Sequence, residues 1–354
     1  MMMGISKWIF SIIFVSILAA CATDTRDRYT TDRVDPLFRL YQGNNVPGAA
    51  VSIIHNGKVI VEKTYGMADL ENKMPITSQS NFRLASFTKQ FTAMCIMQLI
   101  EREKLELATT LPDIFPDFPN YGKSITVRHL LQHQSGLLDY EDLLPENNDE
   151  QVHDADVLQI MMHQSGTYFP AGTDYRYSNS GYAVLAMIIE KISGVSYADY
   201  LRENIFQPLG MLNSVAFQNG ISTVSNRAYG YTVEGDSIYF SDQSRTSAVL
   251  GDGGIYSSID DLYKWDQALY DESLISGEML QQAFTPGLSN YGFGWRIDTY
   301  RGHLRTHHTG STRGFRTVIC RFPEDDFTVI ILSNRNGPGV EGIADELTDI
   351  FLFE

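Results

Sequence analysis

The sequence predicts an α+β fold in which the N- and C-terminal parts of the chain form one antiparallel sheet, flanked by helices. Strand-like patterns occur near both ends, and helical patterns fill most of the region between them. This order is typical of a sheet with an inserted helical subdomain. No motif recurs at a constant period, which excludes a solenoid. The 354 residues are 43% hydrophobic and 12% aromatic, enough for a large core.

The first residues have the pattern of an export signal. Lys7 supplies a positive charge, and residues 8–20 are almost wholly apolar, which suits a signal-peptide core and is short for a membrane span. The Leu-Ala-Ala-Cys sequence that ends at Cys21 resembles the lipobox of bacterial lipoproteins, in which the cysteine is lipidated. Ordinary cleavage near these small residues is the alternative. The expected organisation is a signal peptide at 1–20, a lipidated tether at 21–35 and a folded domain at 36–354.

The folded domain begins with a predicted β-hairpin. Apolar residues at 49–55 and 58–62 flank the dipeptide Asn56-Gly57, which favours a type I′ turn. A long helix is predicted from Ser86 to Lys104. Apolar residues lie on most of its circumference, so we expect this helix to be buried.

The middle of the chain is predicted to be helical and rich in loops. Helical patterns occur at 127–132, 155–164, 181–193 and 260–271. Gly194 is the expected end of the third, and Asp260 is a candidate N-cap of the fourth. The C-terminal part returns to strands at 292–297, 317–322 and 328–333, and a helix follows from Val340 to the terminus.

Charge and cysteine content exclude several functional classes. The formal net charge is −16, whereas binding to nucleic acid requires a basic surface, so no nucleic-acid partner is expected. Cys95 and Cys320 lie in a helical and a strand-like pattern, which favours two buried free thiols over a disulfide. His303, His307 and His308 lack the spacing of a zinc site, so no metal or cofactor is expected.

The segment 83–90, Arg-Leu-Ala-Ser-Phe-Thr-Lys-Gln, opens the predicted buried helix and contains the first candidate for catalysis. Residues three apart lie on one helical face, so the Lys89 amine can reach the Ser86 hydroxyl. A serine hydroxyl is a weak nucleophile until an adjacent base takes its proton. Ser86 is the one serine of the sequence that stands three residues before a lysine. An N-cap serine followed by a solvated lysine is the alternative.

The second candidate is Tyr177-Ser178-Asn179, which follows a Pro-Ala-Gly turn. A tyrosine phenol near a lysine can carry a proton between nucleophile and leaving group. An asparagine amide donates and accepts hydrogen bonds at once, which suits both Lys89 and a substrate amide. The alternative is a loop whose ring fills the core and whose asparagine closes a turn.

The third candidate is the segment 308–311, His-Thr-Gly-Ser, just before the predicted strand at 317–322. A strand edge beside the nucleophile can offer a backbone N–H to the oxyanion of a tetrahedral intermediate, with the Ser86 N–H as second donor. Gly310 is expected to let a substrate approach that strand closely. A turn that leads into a strand is the alternative.

In this order, Ser-x-x-Lys, Tyr-x-Asn and His-Thr-Gly resemble the active-site motifs of the serine β-lactamase and penicillin-binding protein superfamily, in its class C-like branch. The resemblance runs from about residue 44 to the C-terminus and includes the stretches 130–137, 170–181, 253–258 and 291–295. It implies a β-lactamase/transpeptidase-like fold and a serine hydrolase that forms an acyl-enzyme without a cofactor. The implied catalytic residues are Ser86, Lys89, Tyr177, Asn179 and His308, and the implied substrate-binding residues are Thr309, Gly310 and Ser311.

The resemblance also implies individual roles. Ser86 attacks a carbonyl group, Lys89 and Tyr177 carry its proton, and Asn179 orients Lys89 and the substrate. The backbone N–H groups of the nucleophile and of Ser311 form the oxyanion hole.

The third motif departs from the β-lactamases, which usually carry lysine where this chain has His308. A neutral imidazole gives a weaker field for the substrate carboxylate that Thr309 is expected to contact. Arg305 or Arg313 is a candidate to supply the missing charge, and a surface arginine is the alternative.

Three functions follow from this resemblance. Favoured is a DD-peptidase, D-aminopeptidase or esterase that acts on small amides, esters or peptides in the cell envelope, held at a membrane by its lipid. A class C-type β-lactamase is the second. A non-catalytic binding lipoprotein is the third, and the intact catalytic set argues against it. The sequence leaves the physiological substrate and the oligomeric state open.

Overall fold

The computed structural model describes residues 32–146 and 149–354. The predicted signal peptide, Cys21 and most of the predicted tether lie outside the described residues. The chain divides into two units, residues 1–37 and 38–354. Of the first unit, residues 32–37 are described and are helical. The sheet, the helices and the candidate site belong to the second.

The second unit contains strands and helices with the following bounds. The strands are β1 (Ala49–His55), β2 (Lys58–Tyr65), β3 (Met67–Asp69), β4 (Met74–Pro75), β5 (Phe82–Arg83), β6 (Val215–Ala216), β7 (Tyr231–Glu234), β8 (Ser237–Phe240), β9 (Ile255–Ser257), β10 (Arg296–Tyr300), β11 (His303–Thr312), β12 (Phe315–Phe322) and β13 (Phe327–Ser333). The helices are α1 (Lys89–Glu101), α2 (Leu111–Ile114), α3 (Val127–Leu131), α4 (Asp154–Met162), α5 (Asn179–Ser193), α6 (Tyr197–Leu201), α7 (Gln207–Leu209), α8 (Ile259–Ala268), α9 (Gly277–Ala283) and α10 (Glu341–Thr348).

The main sheet joins the two ends of the domain. Its six strands lie in the order β10-β11-β12-β13-β1-β2, and each neighbouring pair is antiparallel. β1 and β13 are buried along nearly their whole length and consist largely of Ala, Val and Ile, as expected for strands covered on both faces. The β1–β2 turn has positive φ at Asn56 (51°) and Gly57 (68°), as a type I′ turn requires. The predicted sheet is therefore confirmed.

Helix α1 lies at the centre of the helical region. Every residue from Lys89 to Leu99 is buried, as expected for a helix that is apolar on most of its circumference. α1 packs against α5 and α6, while α8 packs on β1 and β13, and α10 on β12 and β13. Among the described helices, none combines the length and the apolarity that crossing a membrane requires.

Two helix starts differ from the sequence prediction. The helix expected from Ser86 begins at Lys89, after a 3-10 turn over Ala85–Thr88. Helix α8 is capped by Ser258 rather than by Asp260, because the Ser258 hydroxyl accepts the N–H two residues inside the helix. Gly194 ends α5 with φ 80°, as predicted.

Strand β11 was not predicted. The segment 308–311, expected before a strand, lies within it, and the strand expected at 292–297 starts at Arg296. β11 alternates buried and half-buried positions but carries His, Thr, Gly and Ser, so its burial leaves no apolar signature in the sequence.

Candidate active site

Ser86 lies on the 3-10 turn Ala85–Thr88, which packs against β11 and β12. Ala85 has φ 51°, a left-handed conformation that is unfavourable for a residue with a Cβ atom and is concentrated at functional sites. In a 3-10 helix the side chains at i and i+3 are nearly eclipsed. Ser86 lies in this turn and Lys89 follows directly as the first residue of α1, so the two side chains lie on the same side of the chain.

Lys89 is fully buried, and its amine has three polar neighbours. Lys89 Nζ lies 3.1 Å from Ser86 Oγ, 2.9 Å from Asn179 Oδ1 and 2.8 Å from the backbone O of Asp252. The amide oxygen and the carbonyl oxygen can only accept hydrogen bonds, whereas the serine hydroxyl can also donate. A neutral amine would use its two N–H groups on these oxygens and direct its lone pair at Ser86. This is the geometry that a general base requires.

Asn179 is the first residue of α5, and both the oxygen and the nitrogen of its side-chain amide are hydrogen-bonded. Ser178 caps the helix, since its Oγ accepts the N–H of Gly181 at 3.0 Å. The Asn179 Oδ1 accepts from Lys89, while its Nδ2 donates to Glu141 Oε1 at 3.4 Å. Donor and acceptor neighbours on opposite sides determine the orientation of the amide.

Tyr177 lies in a cluster of rings. Its ring centroid is 4.9 Å from Lys89 Nζ and 4.3 Å from the ring of His133. The buried Tyr177 Oη has no hydrogen-bond partner among the described residues. His133 Nδ1 accepts the N–H of Ser178 at 3.1 Å, and its backbone O accepts the N–H of Arg176. The His133 side chain thus holds the segment that carries Tyr177 and Asn179.

His308 is buried and neutral. Burial, reinforced by the positive charge of Lys89, holds the pKa of His308 well below its usual range. Its Nδ1 lies 2.7 Å from the backbone O of Thr309, and its Nε2 lies 2.9 Å from Tyr291 Oη. The neutral tautomer that donates from Nδ1 accepts the Tyr291 hydroxyl at Nε2. Both ring nitrogens are thereby engaged within the protein.

Gly310 brings β11 against the nucleophile turn. A Cβ atom at this position would lie 1.9 Å from the backbone O of Leu84 and 2.3 Å from Thr317 Oγ1. The Thr317 hydroxyl also donates to that Leu84 oxygen at 2.9 Å. The close approach that Gly310 permits within the protein is therefore to the chain just before Ser86, and the expected approach of a substrate stays a prediction.

A cavity of about 60 Å³ opens beside Ser86. Its walls include Ser86, Asn179, Glu141, Asp252, Ser311 and Thr312. Thr309 and His308 are not among the described residues that line it. The structure thus brings Ser86, Asn179 and Ser311 together at the cavity, and Lys89 contacts the first two from its buried position. Tyr177, like His308, is not among the described residues that line the cavity.

Two carboxylates in this cavity were not predicted from the sequence. Asp252 is buried, and burial raises its pKa to about 6, with the charge of Lys89 acting in the opposite direction. The Glu141 side chain is exposed overall, but neighbouring atoms shield its carboxylate partly from water. This desolvation, together with the charge of Asp139, raises the pKa of Glu141. Glu141 begins a three-residue 3-10 turn and Asp252 lies in a turn, and neither belongs to a motif that sequence reasoning could have recognised. His133 and Tyr291 fall in stretches noted for the resemblance, but nothing in those stretches assigned them a contact.

The two arginines that were candidates to replace the missing lysine charge, Arg305 and Arg313, do not line the cavity beside Ser86. The Arg305 guanidinium pairs with Asp298 at 2.7 Å and with Asp345 at 2.9 Å, so this candidate is wrong. Arg313 is exposed in the turn between β11 and β12. The Arg296 guanidinium carbon, which the sequence did not single out, lies 5.6 Å from the centroid of the Tyr177 ring.

The remaining histidines and cysteines lie apart from this chemistry. His303 Nδ1 bonds to Asp325 at 2.8 Å, and His307 Nε2 lies 3.4 Å from Asp298. Within the described part of the chain, no group of His, Cys, Asp and Glu side chains is arranged to hold a metal ion. Cys95 and Cys320 are free and buried, as predicted.

Comparisons with known proteins agree with this geometry. The sequence profile of the Beta-lactamase family matches residues 31–351. A penicillin-binding protein of Bacillus subtilis is 34% identical over 79% of this chain and 66% of its own length. A D-aminopeptidase of Brucella ovis is 32% identical over 82% of this chain and 57% of its own length. The chain therefore spans somewhat less than two thirds of these curated relatives.

A solved structure shows the same fold. The D-amino acid amidase of Ochrobactrum anthropi SV3, in complex with L-phenylalanine amide, superposes with a TM-score of 0.77 at 25% identity, over 91% of this chain and 98% of that one. The predicted β-lactamase/transpeptidase-like fold is confirmed. Since the family profile covers nearly the whole described domain, the chain belongs to the Beta-lactamase family of serine hydrolases, within the superfamily of serine β-lactamases and penicillin-binding proteins.

Proposed function

We propose that this protein forms an acyl-enzyme on Ser86 and cleaves small amides or peptides that carry a free α-ammonium group. The observation that carries the proposal is the pair of acidic residues, Glu141 and Asp252, that line the cavity beside Ser86 together with the basic residue Arg83. A D-aminopeptidase and a D-amino acid amidase among the similar proteins support an activity on D-amino acid derivatives.

In the proposed reaction, Ser86 Oγ adds to the substrate carbonyl carbon as its proton passes to Lys89 Nζ. The backbone N–H groups of Ser86 and Ser311 stabilise the oxyanion. The C–N bond then breaks, and the leaving nitrogen takes a proton through the Tyr177 phenol. A water molecule next adds to the acyl ester as Lys89 accepts its proton. The C–O bond to Ser86 then breaks, and Lys89 returns the proton to Ser86 Oγ, which releases the acid and restores the serine.

The charges of the site support an ammonium over a carboxylate. Asp252, with a pKa of about 6, is mostly ionised at pH 7 and above. The lining also includes Arg83, whose guanidinium donates to the backbone O atoms of Gly253 and Ser247. Two acidic residues therefore stand against one cation whose N–H groups are already engaged, and this balance favours a cationic ligand. His308 is neutral and both of its ring nitrogens are engaged. It therefore offers no charge to a substrate carboxylate, and we propose that it positions β11 through Tyr291.

Arg296 favours a second candidate function. Its guanidinium carbon lies 5.6 Å from the Tyr177 ring centroid and 5.9 Å from that of Tyr291. A cation beside these rings can bind the terminal carboxylate of a peptide, as a DD-carboxypeptidase or a β-lactamase would need. An esterase would require neither charge.

We expect Glu141→Gln to weaken the use of a substrate with a free amine selectively. The variant keeps the size of the side chain but removes a charged partner, and hydrogen bonds to charged groups contribute roughly 1.5–3 kcal/mol. The KM for D-alanine p-nitroanilide should therefore rise about 10-fold or more. The KM for its N-acetyl derivative should stay unchanged. Steady-state hydrolysis of the two anilides measures this.

The matched control is Asp142→Asn, which removes the charge of the exposed next residue and should alter neither anilide. Wild-type enzyme that prefers the N-acetyl anilide would reject the ammonium proposal. Turnover faster than that of D-alanine p-nitroanilide would support another function. A D-Ala-D-Ala peptide would indicate a DD-peptidase, a chromogenic cephalosporin a β-lactamase, and a p-nitrophenyl ester an esterase.

We also propose that the protein is exported and held at a membrane by a lipid on Cys21, with residues 1–20 removed, residues 21–35 as tether and 36–354 as the hydrolase domain. Cys21→Ala should move most of the protein from the membrane to the soluble fraction, because acyl chains on this residue are the proposed anchor. Immunoblots of separated fractions measure this, with Thr23→Ala as the control. Unchanged fractionation of Cys21→Ala would contradict lipidation.

A further inference from the structure

The segment Thr246–Gly253 runs past the nucleophile and supplies one partner of Lys89. Several of its residues line the cavity at Ser86, and the Asp252 backbone O accepts a hydrogen bond from Lys89 Nζ at 2.8 Å. This segment is neither helix nor strand. Its position therefore depends on hydrogen bonds from other parts of the fold.

Asp154, the first residue of α4, provides two of these hydrogen bonds. Its Oδ2 accepts the backbone N–H of Leu250 at 2.8 Å, and its Oδ1 accepts that of Gly251 at 2.9 Å. Asp154 is itself buried, with 8% of its surface exposed. Both oxygens of one carboxylate thus hold the two residues that precede Asp252.

The same segment is confined from the other side. A Cβ atom on Gly251 would lie 2.4 Å from the backbone O of Tyr182 in α5. The Thr92 hydroxyl, on α1, donates to the Gly251 O at 2.7 Å. The segment is therefore in close contact with α5 and hydrogen-bonded to α1, and Asp154 fixes its third side.

We infer that Asp154 is a positioning residue for Lys89: its carboxylate holds Leu250 and Gly251 so that the Asp252 carbonyl stays at Lys89 Nζ. This inference rests on the proposed role of Lys89 as the base for Ser86. Without the two hydrogen bonds, the Asp252 oxygen can move away from the amine. The amine then loses one of the two acceptors that direct its lone pair at Ser86.

The ionisation of Asp154 makes this role sensitive to pH. Burial raises the pKa of Asp154 to about 7, and the charge of Asp252 acts in the same direction. A protonated carboxyl carries its hydrogen on one oxygen, which becomes a much weaker acceptor, so one of the two N–H groups is held less tightly. The titratable groups around Asp154 are Asp252 on the segment, Tyr140, Tyr197 on α6, and His153 and Glu190 at the same cavity of about 300 Å³.

The test compares wild type with Asp154→Asn over a pH range that spans this pKa, with D-alanine p-nitroanilide hydrolysis and fluorophosphonate labelling of Ser86 as readouts. In the wild type, kcat should fall as the pH drops through about 7. In Asp154→Asn, kcat should stay roughly 10-fold below the high-pH value of the wild type at every pH, because the amide keeps one acceptor, and the fall below pH 7 should be absent, so that the two proteins converge at low pH. KM should change little, because Asp154 does not touch the substrate.

Two further variants keep the test decisive. Asp156→Asn makes the same change at an exposed position of α4 and should retain the wild-type pH profile. If Asp154→Asn does not fold, Thr92→Val serves instead, because it removes the hydrogen bond from Thr92 to Gly251 O. This variant should lower kcat without changing the pH at which kcat falls. If kcat of Asp154→Asn still falls below pH 7, the inference is overturned. Thr92→Val activity equal to that of the wild type would overturn it as well. Wild-type protein that is never labelled at Ser86 would instead reject the proposed function.

Protein stability offers a second readout. For a carboxyl whose pKa is raised on folding, the folded state binds the proton more tightly, so stability is lost as the pH rises from the unfolded pKa to the folded one. Here that window runs from about 4 to about 7. The free energy of unfolding of the wild type, relative to Asp154→Asn, should fall across this window. A constant difference would show that Asp154 does not titrate there.

Discussion

Ser86→Ala should lower the turnover of any amide or ester substrate by at least about 10⁴-fold, because the change removes the atom that forms the acyl-enzyme. The Lys89 amine and the backbone N–H donors remain in the variant, but no hydroxyl is left for Lys89 to deprotonate. Labelling by a fluorescent penicillin or a fluorophosphonate should disappear altogether. Mass spectrometry of the labelled wild type should place the adduct on the peptide that contains Ser86.

The matched control is Ser80→Ala, a nearby buried serine outside the cavity, which should retain labelling. The thermal midpoint of Ser86→Ala should lie within a few degrees of the wild type, since the half-buried hydroxyl loses one hydrogen bond. Persistent labelling of a folded Ser86→Ala protein would show that another residue is the nucleophile.

Gly310→Ala should remove most of the activity and destabilise the domain. The added Cβ would lie 1.9 Å from the Leu84 oxygen and 2.3 Å from Thr317 Oγ1, so β11 and the nucleophile turn must separate. Overpacking of a buried site typically costs about 1–3 kcal/mol. Separation also moves the Ser311 N–H away from Ser86, and the loss of one oxyanion donor lowers kcat by about 10²–10³-fold.

Urea unfolding and steady-state kinetics measure the two effects on the same preparation. Gly342→Ala is the control, because a Cβ atom there meets open space in helix α10 and should leave both quantities nearly unchanged. Wild-type stability and kcat in Gly310→Ala would show that the strand and the turn can separate without consequence, which contradicts the role assigned to this contact.

The parts of the fold that depend on apolar periodicity could be predicted from the sequence. The β1–β2 hairpin, the buried helix after Ser86 and the C-terminal strands β12 and β13 all carry continuous or periodic apolar residues. The nucleophile, the lysine and the asparagine were identifiable because each belongs to a short motif with fixed spacing. Lys89 and Asn179 do meet, as the resemblance implied.

The rest of the site depends on tertiary contacts between segments that carry no pattern. Glu141 begins a three-residue 3-10 turn and Asp252 lies in a turn. Their approach to Ser86 is determined by hydrogen bonds such as that from the Tyr140 N–H to Ser180 Oγ at 2.9 Å. The identity of His308 was visible, but its neutral state depends on burial and on Tyr291, which lies 17 residues before it in sequence. The 3-10 geometry of the turn at Ser86 could not be distinguished from α-helix, because both have similar residue preferences.

The three neighbours of the Lys89 amine come from positions 3, 90 and 163 residues away along the chain. No fragment shorter than about half of the domain contains all three. The arrangement that would activate Ser86 therefore forms only after the helical region and the loop before β9 have packed against α1. During synthesis, and during any passage through a membrane as an extended chain, the polypeptide is therefore chemically inert toward amides. Tertiary structure acts here as the activation step.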